Sequence, residues 1–408
     1  MFNISGIIFK LLKSLTKFIV ISGETKPERA LSAVPSPLPA PAVFCHSEWS
    51  VAESKNLPDK RNLISLKRSN KMKKIKIAQI GVMHDHASAA IGSLKRNSHI
   101  FDLIGYARPD DDGKAYLEPY KDVPEMTVEE ILNYPGLDAV AIETNELNLT
   151  KYARMAADRG LHIHMDKPGG TSAEDFDKLI DTVNEKKLVF STGYMYRFNP
   201  QVTKALEMAK RGDFGDIYAI EAHMDCLHPA EKRQWLGQFP GGMMFFLGCH
   251  LIDLIVQFMG VPDEVIPMNA AIGHEGTTSE DYGMAVLKYK GVPSFAKSCA
   301  AEPGGFMRRQ LVICGTKGTM EIKPLEYSVE GGLQKTDMRF VDMELAEKDG
   351  WGSIGELTPS EVYNRYDTMM TTFAKTVAGE IPNTYNNEYE RQLYKIVLAS
   401  CGVDIDYK

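Results

Sequence analysis

From residue 74 onwards, the chain alternates short apolar runs with segments of helical periodicity, and this alternation restricts its fold more than any other feature. The run Ile75–Ile80 ends at Gly81. The segment that follows repeats apolar residues at the spacing of one buried helix face, at Ala87, Ala90, Ile91 and Leu94. Further β-rich runs are predicted at residues 101–107, 137–144 and 161–165. Such alternation is typical of right-handed βαβ units around a parallel sheet.

Composition and cysteine usage agree with a folded protein of more than one domain. The 408 residues are 44% hydrophobic and 25% charged, which is enough chain for two or three globular domains. The six cysteines form no CxxC pair, so neither a zinc ribbon nor a disulfide scaffold is indicated. A reducing compartment is expected, and we predict a cytoplasmic protein.

The charge is unevenly distributed along the chain. Residues 1–71 hold eleven Lys and Arg against five Asp and Glu, whereas the remaining 337 residues hold 36 against 49. An acidic body without a basic stripe is poorly suited to nucleic acid. Small polar ligands or other proteins are therefore the expected partners.

The first 71 residues are predicted to lie outside the folded body. Residues 4–22 are apolar but carry three lysines at helical spacing, which is too much charge for a membrane span. No stable membrane insertion is expected, and a basic amphipathic helix on a membrane surface is the open alternative. The Pro-rich stretch after it indicates a linker or disordered tract. Because Met72 directly precedes a predicted strand, we expect translation to start there; a native peptide from residues 1–70 would exclude this.

The turn after the first strand lies where a dinucleotide-binding fold carries its GxGxxG motif. Gly81 is retained, but Met83 and His86 occupy the other two glycine positions. Side chains there keep the backbone further from a pyrophosphate. Taken alone, this turn fits a domain whose first turn binds nothing equally well.

The end of the second strand also departs from the dinucleotide pattern. NAD-binding folds place an acid here that binds the ribose hydroxyls, whereas Arg108 can pair with a 2'-phosphate. NAD and NADP are therefore both candidate cofactors. The alternatives are that Arg108 is an exposed surface residue, or that Asp110 or Asp111 binds the ribose.

Three motifs then follow in order. Asp166-Lys167-Pro168 comes directly after a predicted strand, and GYMYRFNP (193–200) and GCHLID (248–253) follow it. Together with the glycine pair at 241–242, they resemble the E-K-P, G-x-x-x-R-F-x-P and G-x-H-x-x-D motifs of the glucose-fructose oxidoreductase, inositol dehydrogenase and MocA family (Gfo/Idh/MocA). The resemblance covers residues 73–402.

The resemblance implies a fold of two parts. A Rossmann domain with a parallel sheet, binding NAD or NADP, is expected at residues 72–193, and an α+β substrate-binding domain with an open, mostly antiparallel sheet at 194–365. C-terminal helices at 366–408 would pack back on the Rossmann domain. That sheet often builds oligomers, so a homodimer or homotetramer is expected. The chain itself carries β-like runs at 217–226, 265–272, 282–289, 293–299, 310–314 and 319–322.

The resemblance also implies catalytic roles. The family lysine that matches Lys167 contacts the hydroxyl being oxidised, where an ammonium stabilises the developing alkoxide. The histidine that matches His250 accepts the hydroxyl proton, a task that suits its ordinary pKa. For Lys167, the alternative is a solvated lysine at a strand end.

Two positions depart from the family pattern. Asp166 replaces the usual Glu, and Phe246 stands where the family has an aspartate that works with the histidine. A phenyl ring can neither orient an imidazole nor carry a proton. Lys167 and His250 could suffice, with Asp225 or His228 filling the gap. Otherwise the protein runs elimination or hydrolysis on a sugar as a non-redox lyase or hydrolase, or it binds without catalysing, as a sensor.

The remaining candidate site residues fall into two groups. Substrate binding is predicted for Tyr194, Arg197, Asp225, His228, Phe246 and Asp253. Cofactor binding is predicted for Gly81, Met83, His84, Arg108, Thr144, Asn145, Asp166 and Lys167. The aromatic rings suit stacking on sugar faces, and ordinary core packing explains each of them equally well.

Two histidine-rich segments raise the question of a metal. His223, Asp225 and His228 could combine with His250, but strand-end residues beside a sugar pocket more often form hydrogen bonds. The His84-Asp85-His86 segment is explained more simply by Asp85 as the N-cap of the next helix. No residue is therefore assigned to a metal.

These expectations combine into one functional prediction. The chain is predicted to be an NAD(P)-dependent oxidoreductase that oxidises or reduces a secondary hydroxyl or keto group of a sugar, glycoside or cyclitol. A small sugar or polyol is the expected ligand.

Overall fold

The βαβ alternation builds a five-stranded parallel sheet in the computed structural model of the protein, which describes residues 73–109 and 116–408. The expectations for residues 1–71, for a start at Met72 and for Asp110 and Asp111 lie outside these residues. The strands are β1 (Ile75–Ile80), β2 (Phe101–Ala107), β3 (Ala139–Ile142), β4 (His162–Met165) and β5 (Phe190–Thr192).

Four helices connect or follow these strands. They are α1 (Ala87–Arg96), α2 (Val128–Leu132), α3 (Leu149–Asp158) and α4 (Ala173–Glu185). The four α1 residues predicted to form a buried face are all buried against the sheet. Apolar residues at helical spacing thus bury one stripe of each amphipathic helix on the sheet.

The order of the strands, β2-β1-β3-β4-β5, creates a crevice at one edge of the sheet. A parallel bridge between Tyr106 and Glu125 adds a rudimentary strand beyond β2 and completes the Rossmann order. After β1 the chain continues to β2, on one side of the β1–β3 pair, and after β3 it continues to β4, on the other side. The turns after β1 and β3 therefore diverge. Open α/β sheets bind their ligands at this switch point.

The second sheet has eight strands in the order β15-β14-β11-β10-β6-β9-β8-β7. All neighbours are antiparallel except β6 and β9. The strands are β6 (Ile217–His223), β7 (Glu264–Pro267), β8 (Tyr282–Tyr289), β9 (Val292–Cys299), β10 (Gln310–Gly315), β11 (Gly318–Ile322), β14 (Asp337–Asp342) and β15 (Thr358–Pro359). A separate two-stranded ribbon consists of β12 (Tyr327–Ser328) and β13 (Gln334–Lys335). The open, mostly antiparallel sheet is thus confirmed.

Six further helices complete the described chain. They are α5 (Pro200–Arg211), α6 (Ala230–Trp235), α7 (Cys249–Met259), α8 (Met343–Asp349), α9 (Arg365–Val377) and α10 (Asn387–Ser400). A 3₁₀ turn at Met195–Phe198 precedes α5, and a π-helical turn at Met244–Gly248 leads into α7. None of the described helices combines the length and the apolar composition that crossing a membrane requires.

The last two helices contact the helices of the first sheet. In α9, Asp367 pairs with Arg96 of α1 at 2.8 Å. In α10, Arg391 pairs with Asp181 of α4 at 2.6 Å. These ion pairs tie the C-terminal helices to the side of the molecule that carries the crevice.

The N-cap of α5 offers a test of local stability. Asn199 Oδ1 accepts the backbone N–H groups of Gln201 and Val202 at 2.9 and 3.2 Å, and its Nδ2 donates to the carbonyl of buried Leu325 at 2.8 Å. Asn199→Ala therefore removes a cap and orphans a buried carbonyl, and we expect the free energy of unfolding to fall by about 2–4 kcal/mol. Urea denaturation measures this.

The N-cap of α10 is the matched control. Asn386 accepts one backbone N–H, that of Tyr389, at 2.9 Å. The expected loss for Asn386→Ala is about 1 kcal/mol. Equal losses for the two variants would contradict a stabilising role for the bond between Asn199 and Leu325.

Candidate active site

Charged side chains converge at the switch point because parallel strands present their carboxyl ends at one edge. The turn after β1 supplies His84 and His86, and the turn after β3 supplies Glu143 and Glu146. Asp166 and Lys167 follow β4 directly. All of these side chains are buried except that of His86, which is 13% exposed.

Asp166 stands at the centre of this cluster. Its Oδ2 lies 3.3 Å from His84 Nδ1 and 3.1 Å from His86 Nδ1, and its Oδ1 accepts the N–H of Lys167 at 2.6 Å. Burial alone would raise the pKa of Asp166, but the two histidines hold that pKa well below its ordinary value. Asp166 is therefore the ionised acid of the cluster.

Two further acids flank Asp166, and their proton affinities differ from its own. Burial, followed by the negative charge of Asp166, raises the pKa of Glu143 well above its ordinary value. Burial raises the pKa of Glu146 to about 7. Burial also lowers the pKa of His84 to about 3, so this imidazole is neutral. The crevice thus combines one anion with groups that can hold or release protons.

Lys167 is held against the segment that contains the unexpected phenylalanine. Its ammonium donates to the carbonyl oxygen of Phe246 at 2.7 Å and lies 4.6 Å from the centroid of the Phe246 ring. The ammonium of Lys232 lies 4.7 Å from the same centroid. Phe246 therefore positions Lys167 through both its carbonyl and its ring, although it cannot transfer a proton.

The backbone around Phe246 differs from the sequence expectation. The spacing of Phe246, His250, Asp253 and Gln257 predicts one continuous α-helix, but residues 244–248 form a π-helical turn. A π-helical turn shifts the hydrogen-bonding register by one residue and is common at functional sites. In this turn, the Phe246 carbonyl is available to Lys167.

His250 is fully buried beside Lys167. Its ring contacts those of Tyr194, Tyr196 and His86 at centroid distances of 5.6, 5.1 and 6.3 Å. Burial, and then the charge of Lys167, lower the pKa of His250 well below its ordinary value. Neither ring nitrogen has a hydrogen-bond partner in the part of the chain that the structure describes. His250 is thus a neutral imidazole with polar atoms to offer a ligand.

Tyr194 presents a second unsatisfied group in the same place. Its side chain is buried, and its hydroxyl lacks a hydrogen-bond partner within residues 73–109 and 116–408. Buried polar atoms are normally paired. The hydroxyl of Tyr194 and the imidazole of His250 are therefore two neighbouring polar groups that a ligand can satisfy.

Arg197 and Asp253 differ from their predicted role in substrate binding. They pair with each other at 2.9 Å, and Arg197 also pairs with Glu390 of α10 at 2.5 Å. All three side chains are buried. Both residues join the segment before α5 to α7 and α10. We therefore reassign them from substrate binding to stabilising the fold.

Of the two residues expected to replace the missing aspartate, Asp225 is engaged elsewhere and His228 lies beside Phe246. Asp225 follows β6 and pairs with Lys297 at 3.0 Å. The ring of His228 packs against that of Phe246 at 6.3 Å between centroids. Asp225 is therefore reassigned to an ion pair of the second sheet, and His228 borders the crevice at Phe246.

The predicted cofactor residues are distributed along the crevice. Gly81 adopts φ +99°, and a Cβ there would lie 2.2 Å from the backbone nitrogen of Thr144, so only glycine fits where the ends of β1 and β3 meet. Met83 and Asn145 are half-buried in the turns after these strands. At the end of β2, Arg108 donates to Glu125 at 2.8 Å.

The prediction that Asp85 caps α1 is wrong. The N-cap position is His86, and within the described residues no side chain caps this helix. Asp85 instead pairs with Lys232 at 3.2 Å. The Asp85 carboxylate therefore links the turn after β1 to α6.

Sequence reasoning missed three residues of the site, Glu143, Glu146 and Tyr366, and it considered His86 without assigning it to the site. The two glutamates carried a usable signal, because acids directly after a buried parallel strand lie at the ligand-binding edge. Tyr366 comes from α9, and its ring lies 5.8 Å from that of His86. No local pattern around Tyr366 predicts that contact.

The described chain thus combines a Rossmann sheet, whose switch point is lined by ionisable groups, with an open, mostly antiparallel sheet, and the first of these is the architecture of dinucleotide-binding proteins. The family model described as the oxidoreductase family with an NAD-binding Rossmann fold matches residues 75–194. The model of the GFO/IDH/MocA C-terminal domain matches residues 202–321. The chain belongs to the Gfo/Idh/MocA oxidoreductase family, as the motifs indicate.

Similar proteins include two named sugar or polyol dehydrogenases. D-xylose 1-dehydrogenase (NADP(+)) 2 of Haloferax volcanii is 28% identical over 34% of this chain and 42% of its own length. The scyllo-inositol 2-dehydrogenase (NADP(+)) IolW of Bacillus subtilis is 23% identical over 71% of this chain and 78% of its own. The match thus spans less than half of the first relative and about three quarters of the second.

A solved structure shares the fold. The WlbA dehydrogenase of Bordetella pertussis, in complex with NADH and UDP-GlcNAcA, aligns with a TM-score of 0.63 at 16% identity. The alignment covers 82% of this chain and 98% of that one. At this identity, the likeness concerns the fold alone.

Proposed function

We propose that the protein is an NAD(P)-dependent dehydrogenase acting on a secondary hydroxyl group of a sugar, glycoside or cyclitol. One observation carries the proposal: buried Lys167, directly after β4, donates to the carbonyl of Phe246 in the turn that leads to His250, and its charge contributes to lowering the pKa of that buried imidazole. The names of the xylose and inositol dehydrogenases among the relatives support the substrate class.

The two groups divide the chemistry between them. Lys167 donates a hydrogen bond to the substrate oxygen and stabilises the negative charge that develops there. His250, neutral and with both nitrogens unpartnered within the described chain, accepts the hydroxyl proton. The nicotinamide, when bound, accepts the hydride. Phe246 holds Lys167 in place, and Tyr194 offers its hydroxyl to the substrate.

The crevice fits a nicotinamide dinucleotide. In the described chain, α1 begins in the turn after β1 and has no side-chain cap and no acid in its first turn. The helix that starts at this turn of a Rossmann sheet is where the pyrophosphate of a dinucleotide binds. The unsatisfied polar groups of His250 and Tyr194 lie deeper, beside Lys167. In this proposal, the turn after β1 holds the pyrophosphate and Lys167 marks the reactive end.

A substrate panel tests the proposal. The purified chain is incubated with aldoses, glycosides and cyclitols, each with NAD⁺ and with NADP⁺, while the absorbance of reduced nicotinamide and the sugar products are followed. Reduced cofactor with an equimolar keto product is expected. Sugar products without net reduction of cofactor would contradict a dehydrogenase and favour the lyase or hydrolase alternative. Cofactor binding without any product would favour a sensor.

Arg108 gives a prediction about cofactor choice. Because it lies at the end of β2, where the ribose of a dinucleotide is bound, we propose that it pairs with the 2'-phosphate of NADP. For Arg108→Ala, we expect the Kd for NADP to rise about tenfold and the Kd for NAD to change less than twofold, since a charge-assisted hydrogen bond contributes about 1.5 kcal/mol. Fluorescence titration of reduced cofactors measures both.

Arg159→Ala is the control for this prediction. Arg159 is exposed and pairs with Glu129 on the surface. It should leave both Kd values unchanged. An equal loss of NAD and NADP affinity in Arg108→Ala would contradict a role in recognising the phosphate.

The homodimer or homotetramer stays a prediction that light scattering after size exclusion can check.

A further inference from the structure

We propose that His84, His86 and Asp166 form a binding site for one divalent transition-metal ion of the Zn²⁺ class. The two histidines come from the turn after β1 and the aspartate from the end of β4. One donor atom from each residue can be chosen so that all three lie within 4.8 Å of one another. The site shares His84 and Asp166 with the predicted cofactor-binding residues, but the proposal of metal binding does not rest on the dehydrogenase activity.

Two of the three donor separations, those to Asp166, have the size that a coordination sphere requires. Asp166 Oδ2 lies 3.3 Å from His84 Nδ1 and 3.1 Å from His86 Nδ1. Two donors at about 2.0–2.1 Å from one metal ion, at tetrahedral or octahedral angles, are about 2.9–3.4 Å apart. The backbone N–H of His86 also approaches His84 Nδ1, at 3.2 Å. That distance is at the long end for a hydrogen bond, so a metal ion would compete with one weak contact.

A second observation comes from the other nitrogen of His84. Its Nε2 is buried, has no hydrogen-bond partner in the described chain and lies 3.8 Å from Glu146 Oε1. A metal-bound imidazole normally turns its remaining N–H towards a carboxylate, which fixes the ring and strengthens the ligand. Glu146 stands in that position. His84 is thus placed as a ligand with its outer partner already present.

The unpartnered acids of the cluster point the same way. Three acids, Glu143, Glu146 and Asp166, are buried together, and Lys167 and Lys232 both act on Glu146 through their charges. Both carboxyl oxygens of Glu143 lack hydrogen-bond partners within the described residues. Buried acids are costly unless they are paired or coordinate a metal. A divalent cation would be a partner for the carboxylate of Asp166, the ionised acid of the cluster.

The ligand types select the class of metal. Two imidazoles and one carboxylate suit Zn²⁺, Fe²⁺, Co²⁺ or Mn²⁺, whereas Ca²⁺ and Mg²⁺ prefer oxygen ligands alone. Three protein ligands leave at least one coordination position open, as in catalytic rather than structural zinc sites. The ring of His86 also lies 6.3 Å from that of His250, between centroids, so the metal site adjoins the proposed catalytic base.

This inference departs from the sequence expectation, which assigned no metal ligand. Asp85, between the two histidines, is held by Lys232 and is not part of the cluster. Asp166 is separated from the histidines by about 80 residues. Only the sheet brings these three side chains together.

Metal binding is tested on the full chain without a polyhistidine tag. After dialysis against a chelator, ZnCl₂ is titrated by calorimetry, and CoCl₂ by visible absorption, without sugar or nicotinamide. We expect one ion per chain, with a Kd for Zn²⁺ of about 1 µM or tighter.

Each of three ligand variants should weaken binding by about a hundredfold or more: His84→Ala, His86→Gln and Asp166→Asn. Loss of an outer partner alone already costs about 10–100-fold in affinity. His86→Gln changes the least buried ligand and serves as the test should the others fail to fold.

Two control variants separate this site from adventitious binding. His99 is an exposed histidine just after α1, and Asp85 shares the turn with the proposed ligands. His99→Ala and Asp85→Asn should retain the Kd of the unmodified chain. A chain that binds neither Zn²⁺ nor Co²⁺, or an unchanged Kd in a folded His86→Gln variant, would overturn the proposal. Cofactor titration of the same samples reports on the dehydrogenase proposal independently.

Discussion

Replacement of His250 by alanine is expected to lower kcat by about a hundredfold or more, while the Kd for the nicotinamide cofactor changes less than twofold. General-base catalysis by a positioned side chain contributes about 10²–10⁴-fold. In the structure, His250 is a buried neutral imidazole whose two nitrogens have no hydrogen-bond partner among the described residues. Steady-state kinetics with the best substrate of the panel measures kcat, and fluorescence titration measures the Kd.

Two further variants sharpen this test. His250→Gln keeps a polar side chain of similar size but cannot take up a proton at neutral pH, so it should lose as much activity as the alanine variant while disturbing the packing less. His162→Ala is the matched histidine control. His162 lies at the opposite end of β4, where its Nδ1 accepts the backbone N–H of Val189, and its replacement should leave kcat within a factor of about two. Turnover that survives in His250→Gln would remove His250 from the mechanism.

Replacement of Lys167 by methionine is expected to lower kcat by about 10²–10³-fold, which is the usual cost of removing a group that stabilises a developing oxyanion. Methionine keeps most of the length of the side chain. The variant loses the ammonium that now donates to the Phe246 carbonyl and lies beside His250. Single-turnover hydride transfer, read as the absorbance of reduced cofactor, separates the chemical step from product release.

Lys232→Met is the control for Lys167. The Lys232 ammonium lies at nearly the same distance from the Phe246 ring, 4.7 Å against 4.6 Å, but it is more exposed and pairs with Asp85. Loss of a cation–π contact of this kind costs about 0.5–1 kcal/mol, so kcat should fall less than about fivefold. Equal effects of the two substitutions would indicate that the charge around the ring matters and that Lys167 has no particular role in polarising the hydroxyl.

Phe246 is where the sequence left three explanations open, and the structure favours one of them. The phenylalanine replaces an aspartate of the family, yet its carbonyl and ring hold Lys167 next to His250. Asp225, the expected substitute, is engaged by Lys297. The site therefore retains an ammonium and a neutral base in the absence of the aspartate, which supports a dehydrogenase that uses Lys167 and His250 alone.

Much of the fold was predictable because buried residues recur at the periodicity of the helix or strand that contains them. The predicted bounds of β1, β2 and β8 agree with the structure, and the α1 face is buried as the spacing indicates. β14, which spans Asp337–Asp342, was missed. It is a short strand with charged residues among its apolar ones, and its position is set by pairing with β11 and β15 rather than by its own pattern.

Sequence by itself determined the order of elements and the family, because hydrophobic periodicity and short motifs are local properties. That Lys167 and His250 act together stays a prediction. Tertiary structure alone decided that Arg197 and Asp253 form an ion pair. It also decided that a π-helical turn offers the Phe246 carbonyl to Lys167. It placed Asp166 beside His84 and His86. The physical reason is strand order. Contacts between residues about 80 positions apart depend on which strands are neighbours, and no residue's own spacing contains that information.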